Sequence, residues 1–161
     1  MMDEKLQAAI NDQIQKELYS GYLYLAMSAY CEAEGWPGFA HWMRAQAEEE
    51  QGHAMRLFHF VNRRGGRVLL QPIEQPPTEF GTPLEVFRAV YEHEQKVTAS
   101  IHRLYELADE VNDHAARIEL QWFITEQVEE EEGARTLVDL LEKIGGHVNG
   151  LIMLDRQLAE R

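Results

Sequence analysis

Apolar positions recur every three or four residues through four long stretches of the chain, and each of these stripes is broken by acid. The first runs Ile10, Ile14, Glu17, Gly21, Tyr24, Ser28; the second Phe39, Met43, Gln46, Ala54, Leu57, Val61, with Glu50 and His53 on the steps between. The third runs Leu84, Phe87, Tyr91, Glu94, Thr98, Ile101, Tyr105, and the fourth Leu120, Phe123, Gln127, Glu130, Ala134, Leu137, Leu141. This period belongs to amphipathic helices. With their punctuation the stripes predict an all-α chain, helical over about 4–34, 37–64, 83–110 and 113–144, with a short fifth helix over about 148–158.

The punctuation is chemically specific. Asp3 can cap the first helix, and Gly35-Trp36-Pro37 makes a turn with proline in a helix first turn, where its missing N–H does no harm. Gly65-Gly66 ends the second helix, and Thr82-Pro83-Leu84-Glu85 starts the third with a cap, a first-turn proline and a glutamate three after the cap. Between them lies an extended segment containing Pro72, Pro76 and Pro77, with apolar Val68 and Leu70. At about 3.3 Å per residue it could run the height of a four-helix bundle and deliver a third helix parallel to the second. The expected order is up, down, down, up, in one domain spanning residues 1–161. The tail, with Val148, Leu151, Ile152, Leu154 and Leu158, is too short to hold a helix alone and must dock on the bundle end and on neighbouring subunits.

The acidic interruptions fall at one depth. Glu17 and Glu50 are 33 positions apart, as are Glu94 and Gln127, while Glu17 to His53 and Glu94 to Glu130 both span 36. Measured from turns at Gly35 and Asn112, Glu17, His53, Glu94 and Glu130 each lie 18 residues away, roughly 27 Å along antiparallel hairpins. Four carboxylates buried together cannot stay ionised alone, since each uncompensated charge costs several kcal/mol. Two divalent cations balance Glu17, Glu50, Glu94 and Glu130, with His53 neutral as a ligand. Oxygen-rich ligation with one imidazole favours iron or manganese over zinc.

Composition changes this picture little. A length of 161 residues, 45% hydrophobic and 27% charged, suits one globular domain of long helices. The net charge of −13 argues against nucleic acid or an anionic membrane as partner and suits cations. A single cysteine, Cys31, excludes an intrachain disulfide, and residues 1–10 lack the basic start and apolar run of a signal peptide, so a cytoplasmic protein is expected. No apolar stretch approaches the roughly 20 residues of a membrane span. His41, His59, His93, His102, His114 and His147 have no acidic partner on a stripe and are expected at the surface.

Along essentially its whole length the chain resembles the prokaryotic non-haem ferritins, members of the ferritin-like di-iron four-helix bundles. The residues that carry the resemblance are Glu17 in Lys16-Glu17-Leu18-Tyr19-Ser20, Tyr24, Glu50-Gln51-Gly52-His53-Ala54, Tyr91-Glu92-His93-Glu94, and Glu126-Gln127-Val128-Glu129-Glu130-Glu131. The resemblance implies that Glu17, Glu50 and His53 bind one iron and Glu50, Glu94 and Glu130 the other, with Glu50 bridging. It places Gln127 beside the pair and Tyr24 nearby as hydrogen-bond partner and candidate electron donor. It further implies a third iron site at Glu49, Glu126, Glu129 and Glu130. The expected activity is a ferroxidase that oxidises Fe(II) with dioxygen or hydrogen peroxide and stores ferric mineral inside a hollow shell of twenty-four subunits.

Departures from neighbouring families narrow this. The haem-containing bacterioferritins carry methionine after the bridging glutamate and a second Glu-x-x-His, where this chain has Gln51 and Gln127-x-x-Glu130, so no haem is expected. One cysteine cannot build the cysteine-rich iron module usual in rubrerythrins. The alternative on the same bundle is a di-iron or di-manganese oxidase or peroxidase that stores nothing. Gly52 and Gly133, in mid-helix, are expected where a neighbouring helix or a ligand comes close.

Overall fold

The computed structural model describes residues 1–161 and contains five helices: α1 (Glu4–Ala33), α2 (Pro37–Arg63), α3 (Pro83–Glu110), α4 (His114–Ile144) and α5 (Val148–Leu158). Their ends lie within a residue of the expected ones because the local signals operate as read. Asp3 Oδ1 accepts from the Lys5 and Leu6 amides at 2.9 and 3.1 Å. Thr82 and Glu85 form a reciprocal capping box, and the Asp113 carboxylate accepts from Ala116 N at 2.9 Å to start α4. Asn112, at φ +55°, turns α3 into α4.

The start of α2 is capped from far away. Trp36 offers no side-chain cap, and the Phe39 amide instead donates to Asp155 Oδ1 of α5 at 2.9 Å. At Gly38 an added Cβ would lie 1.6 Å from the Asp155 carbonyl oxygen, so α5 rests directly on the α2 backbone. Leu151, Leu154 and Leu158 of α5 pack into the adjoining core, which gives the short tail its docking place on the bundle end.

Hydrogen bonds fix the topology. The crossover leaves the end of α2 beside the start of α1, where Gln7, Asn11 and Gln71–Asp12 bonds hold it, and arrives at Gly81 beside Tyr30 near the end of α1. It therefore runs alongside α1 for most of that helix. Gln13 and Lys16 bond Ser100 while Tyr24, about two to three turns further along α1, bonds Glu94, earlier in α3, so these helices are antiparallel and α3 is parallel to α2. Arg64, at the end of α2, grips Asp113 with both guanidinium nitrogens at 2.8 and 2.9 Å, tying that end to the α3–α4 turn. The order is up, down, down, up.

The core is in two parts. One end packs Leu6, Ile10 and Ile14 against Leu57, Val61, Ile101, Leu120 and Phe123; the other packs Met27 and Cys31 against Phe39, Met43, Phe87, Val90 and Leu141. Each fully buried large side chain contributes roughly 1.5–3 kcal/mol. Between the two lies a layer holding Glu17, Gln46, Glu50, His53, Glu94 and Gln127, all buried. Gly21 sits here, its missing side chain leaving room for the Ala47 carbonyl, 3.1 Å from where a Cβ would stand, and for Glu50. Close approach thus occurs at Gly21 and not at Gly52 or Gly133, whose Cβ positions have no atom within 4 Å. Those two face outward, where nothing packs against them.

Candidate metal centre

Each helix of the bundle contributes to the polar layer because helical period places one residue, or two a turn apart, of each helix at its depth. Glu17 comes from α1, Glu50 and His53 from α2, Glu94 from α3, and Glu126 and Glu130 from α4. Three overlapping groups result, each with ligand atoms within 4.8 Å of one another: Glu17, Glu50 and His53; Glu50, Glu94 and Glu130; and His53, Glu126 and Glu130. Glu50 belongs to the first two. Glu50 is 0% exposed, as is Glu94.

Fixed donors hold these carboxylates. Gln13 Nε2 donates to Glu17 Oε1 at 2.8 Å, while its carbonyl accepts from Ser100 Oγ at 2.7 Å, and Lys16 Nζ donates to Ser100 at 2.9 Å. Tyr24 Oη donates to Glu94 Oε1, and Gln127 Nε2 to Glu94 Oε2 at 3.1 Å. Gln46 Nε2 donates to Glu130. His53 Nδ1 faces Glu50 Oε2 at 3.2 Å and Glu17 Oε2 at 3.8 Å; its Nε2 faces Glu126 at 3.7 Å. Its ring stands edge-on to Trp122 and Phe123, which fix its plane.

Two oxygens have no partner at all. Glu17 Oε2 and Glu50 Oε1 are buried without a hydrogen bond. A buried orphan acceptor costs about 1–3 kcal/mol, and more when charged, so the site calls for cations between these carboxylates. The acid groups respond to the crowding. Burial, then the charges of Glu17 and Glu94, holds the Glu50 carboxyl well above the usual range. Burial lifts Glu94 to about 7 against the opposing pull of its Tyr24 and Gln127 hydrogen bonds. Burial and the Glu94 charge push Glu130 to about 8. The Tyr24 phenol, buried beside Glu94 and Glu50, is raised well above its ordinary value. An oxygen-rich donor set with one imidazole, short of positive charge, fits iron.

Of the residues expected in the site, Glu17, Tyr24, Glu50, His53, Glu94 and Gln127 are buried, and Glu126 and Glu130 are half-buried at its edge. Glu49 and Glu129 are exposed and belong to none of the three groups; the Glu49 carboxylate is engaged by Arg161 at 2.8 Å. Gln13, Ser100 and Arg161 take part without having been singled out from sequence. Gln13 carried a signal, since it stands one turn before Glu17 on the same face. Ser100 and Arg161 carried none, because their contacts depend on how helices meet.

His93 is not a surface residue. It lies in the α1–α3 groove, bonded to Ser20 Oγ at 2.7 Å and packed against the rings of Tyr19 and Tyr24. Burial, with the Lys96 charge, lowers its pKa to about 4, so it is neutral near pH 7. Position 93 shares a face with Val90 and Val97, and the groove is wide enough to cover both it and Glu94. His41 is likewise half-buried, with Nε2 donating to the Arg161 carbonyl at 3.0 Å.

An antiparallel-hairpin bundle with a long crossover and a carboxylate layer shared among its four helices defines a class of protein. Residues 7–144 match the ferritin-like domain family, and the chain belongs to it. It is 45% identical over 161 residues to a bacterial non-heme ferritin of Bacteroides fragilis, covering 100% of both chains. It is 38% identical to the bacterial non-heme ferritin of Staphylococcus epidermidis, covering 100% of this chain and 97% of that one. Among solved structures, an open pore ferritin from the hyperthermophilic archaeon Archaeoglobus fulgidus superposes with a TM-score of 0.99 at 47% identity, over 100% of this chain and 99% of that one.

Proposed function

We propose that this protein stores iron and is a ferroxidase, taking Fe(II) as substrate at a two-ion site centred on Glu50. Glu17, Glu50 and His53 would hold one ion and Glu50, Glu94 and Glu130 the other. The observation that carries the reading is the shared Glu50, with its orphan oxygen and that of Glu17 buried between the two groups. Two Fe(II) ions supply two electrons, which with two protons reduce dioxygen to hydrogen peroxide, or hydrogen peroxide to two waters. The Fe(III) products carry higher charge, which the carboxylates favour, and so leave the acids ionised. Gln127 and Tyr24 keep the Glu94 carboxylate oriented by hydrogen bonds to each of its oxygens. Tyr24, bonded to a ligand of the second ion, would be the candidate electron donor.

The storage half of the reading rests on the family and on the 45% identity to a non-heme ferritin across the whole chain. The same likeness supports assembly of twenty-four copies into a shell, in the cytoplasm. No helix is long and apolar enough to cross a membrane. The net charge of −13 favours cation entry.

Oxygen consumption on adding Fe(II), compared between the wild type and a Glu50→Ala/His53→Ala variant, tests the chemistry. Fast uptake in the wild type and its loss in the variant is expected; equally fast uptake in the variant would end the di-iron reading. Ferric iron retained in a soluble high-mass fraction separates storage from an oxidase or peroxidase on the same bundle, which would retain none.

A further inference from the structure

Arg161 reaches back from beyond α5 to the outer edge of the polar layer. Its Nη2 donates to Glu49 Oε1 at 2.8 Å and to Gln46 Oε1 at 2.9 Å, and its Nη1 donates to the Trp42 carbonyl at 3.2 Å. The guanidinium carbon lies 4.7 Å from the centre of the Trp42 ring. Three hydrogen bonds and an aromatic face hold a side chain that is about a quarter exposed, at 27%.

This contact sets the orientation of Gln46. A guanidinium has donors and no acceptor, so the Gln46 carbonyl must face Arg161 and its NH2 must face Glu130. Arg161 therefore acts on two carboxylates, Glu49 directly and Glu130 through Gln46. Both stand at the edge where His53 Nε2, Glu126 and Glu130 form the third group of ligand atoms. Glu49 and Glu126 are near enough for their charges to raise the Glu130 carboxyl. Among the ion pairs of Glu49, Glu126 and Glu130, Arg161 on Glu49 is the one made by an arginine or lysine.

We infer that Arg161 is the resident cation of this outer edge, and that by engaging Glu49 and fixing Gln46 on Glu130 it confines divalent metal to the two positions that share Glu50. A third ion that drew on Glu49 and Glu130 would have to take the first from the Arg161 guanidinium and one oxygen of the second from the Gln46 amide, whose carbonyl is held by that guanidinium. Arg161 is a positioning residue here, acting on the selectivity of the centre through Glu49 and Gln46. The inference rests on the two-ion reading of the centre.

Anaerobic equilibrium binding of Co(II) to the assembled protein tests it, with no turnover involved. The wild type is expected to saturate at two ions per subunit. Arg161→Gln is expected to take a third, visible as an added d–d absorption component, and Arg161→Gln/Glu49→Gln is expected to return to two. Saturation of Arg161→Gln at two, a third ion in the wild type, or persistence of the third ion in the double variant would overturn the inference while leaving the two-ion centre standing. A wild type that binds fewer than two would bring down the two-ion reading, and this inference with it.

Discussion

Filling the centre with divalent metal should expel protons, in a number that the site's electrostatics set. With Glu94 at about 7 and Glu130 at about 8, the metal-free cluster at pH 7 carries about half a proton on the first and about nine-tenths on the second. Glu50, held well above the ordinary range by burial and the charges of Glu17 and Glu94, shifts the balance the same way. Because the acids interact, the count belongs to the cluster and not to single residues. Cations between the carboxylates favour the ionised forms, so anaerobic Co(II) binding at pH 7 should release more than about one proton per subunit from Glu94 and Glu130. At pH 9 the share of Glu94 and Glu130 drops to about a tenth of a proton, so the release falls by more than one. Titration calorimetry in two buffers of different ionisation enthalpy reads this number directly. Release below half a proton at pH 7, or a release unchanged between pH 7 and pH 9, would show that the acids are already ionised without metal and would refute the reasoning.

The same shifts give the metal-free protein an unusual pH dependence. Glu94 and Glu130 are raised in the folded state, so their contribution is fully present below the unfolded value near 4.5 and is lost as pH rises through about 7 and about 8. Denaturant midpoints at fixed protein concentration should fall between pH 6 and pH 9 by the equivalent of a few kcal/mol per subunit, and bound metal should remove most of that fall; a flat profile without metal would contradict it. Tyr24→Phe removes the hydroxyl that holds Glu94, and should cost about 1–2 kcal/mol in chemical denaturation while weakening metal binding on the Glu94 side. Unchanged stability and affinity in that variant would argue against the bond. Gly38→Ala places a methyl against the Asp155 carbonyl, and should lift α5, costing about 1–3 kcal/mol and exposing the Phe39 amide to hydrogen exchange. Undiminished protection at Phe39 would show that α5 does not cap α2.

Much of this molecule could be read before its fold was seen, for a physical reason. In long antiparallel helices, sequence spacing converts to depth at a fixed rise, so equal spacings of 33 and 36 residues placed Glu17, His53, Glu94, Gln127 and Glu130 in one layer. Helix ends were legible because Asp3, Thr82 with Glu85, and Asp113 cap through bonds to their immediate neighbours. Contacts set by the meeting of distant segments were not. Asp155 capping α2, Asn11 holding the crossover and Arg161 orienting Gln46 join residues 116, 56 to 58 and 115 positions apart, with no local pattern to announce them. His93 shows a different limit: helical period named Glu94 as the inward residue, but a groove between two helices buries a second neighbour beside it.

Crystals of the assembled protein soaked anaerobically with Fe(II), with anomalous scattering collected on either side of the iron edge, test the central claim most directly. Two iron peaks per subunit are expected, both within bonding distance of Glu50, one shared with Glu17 and His53 and the other with Glu94 and Glu130. Iron found only along the exposed acids of α4, with Glu50 free of metal, would contradict the account.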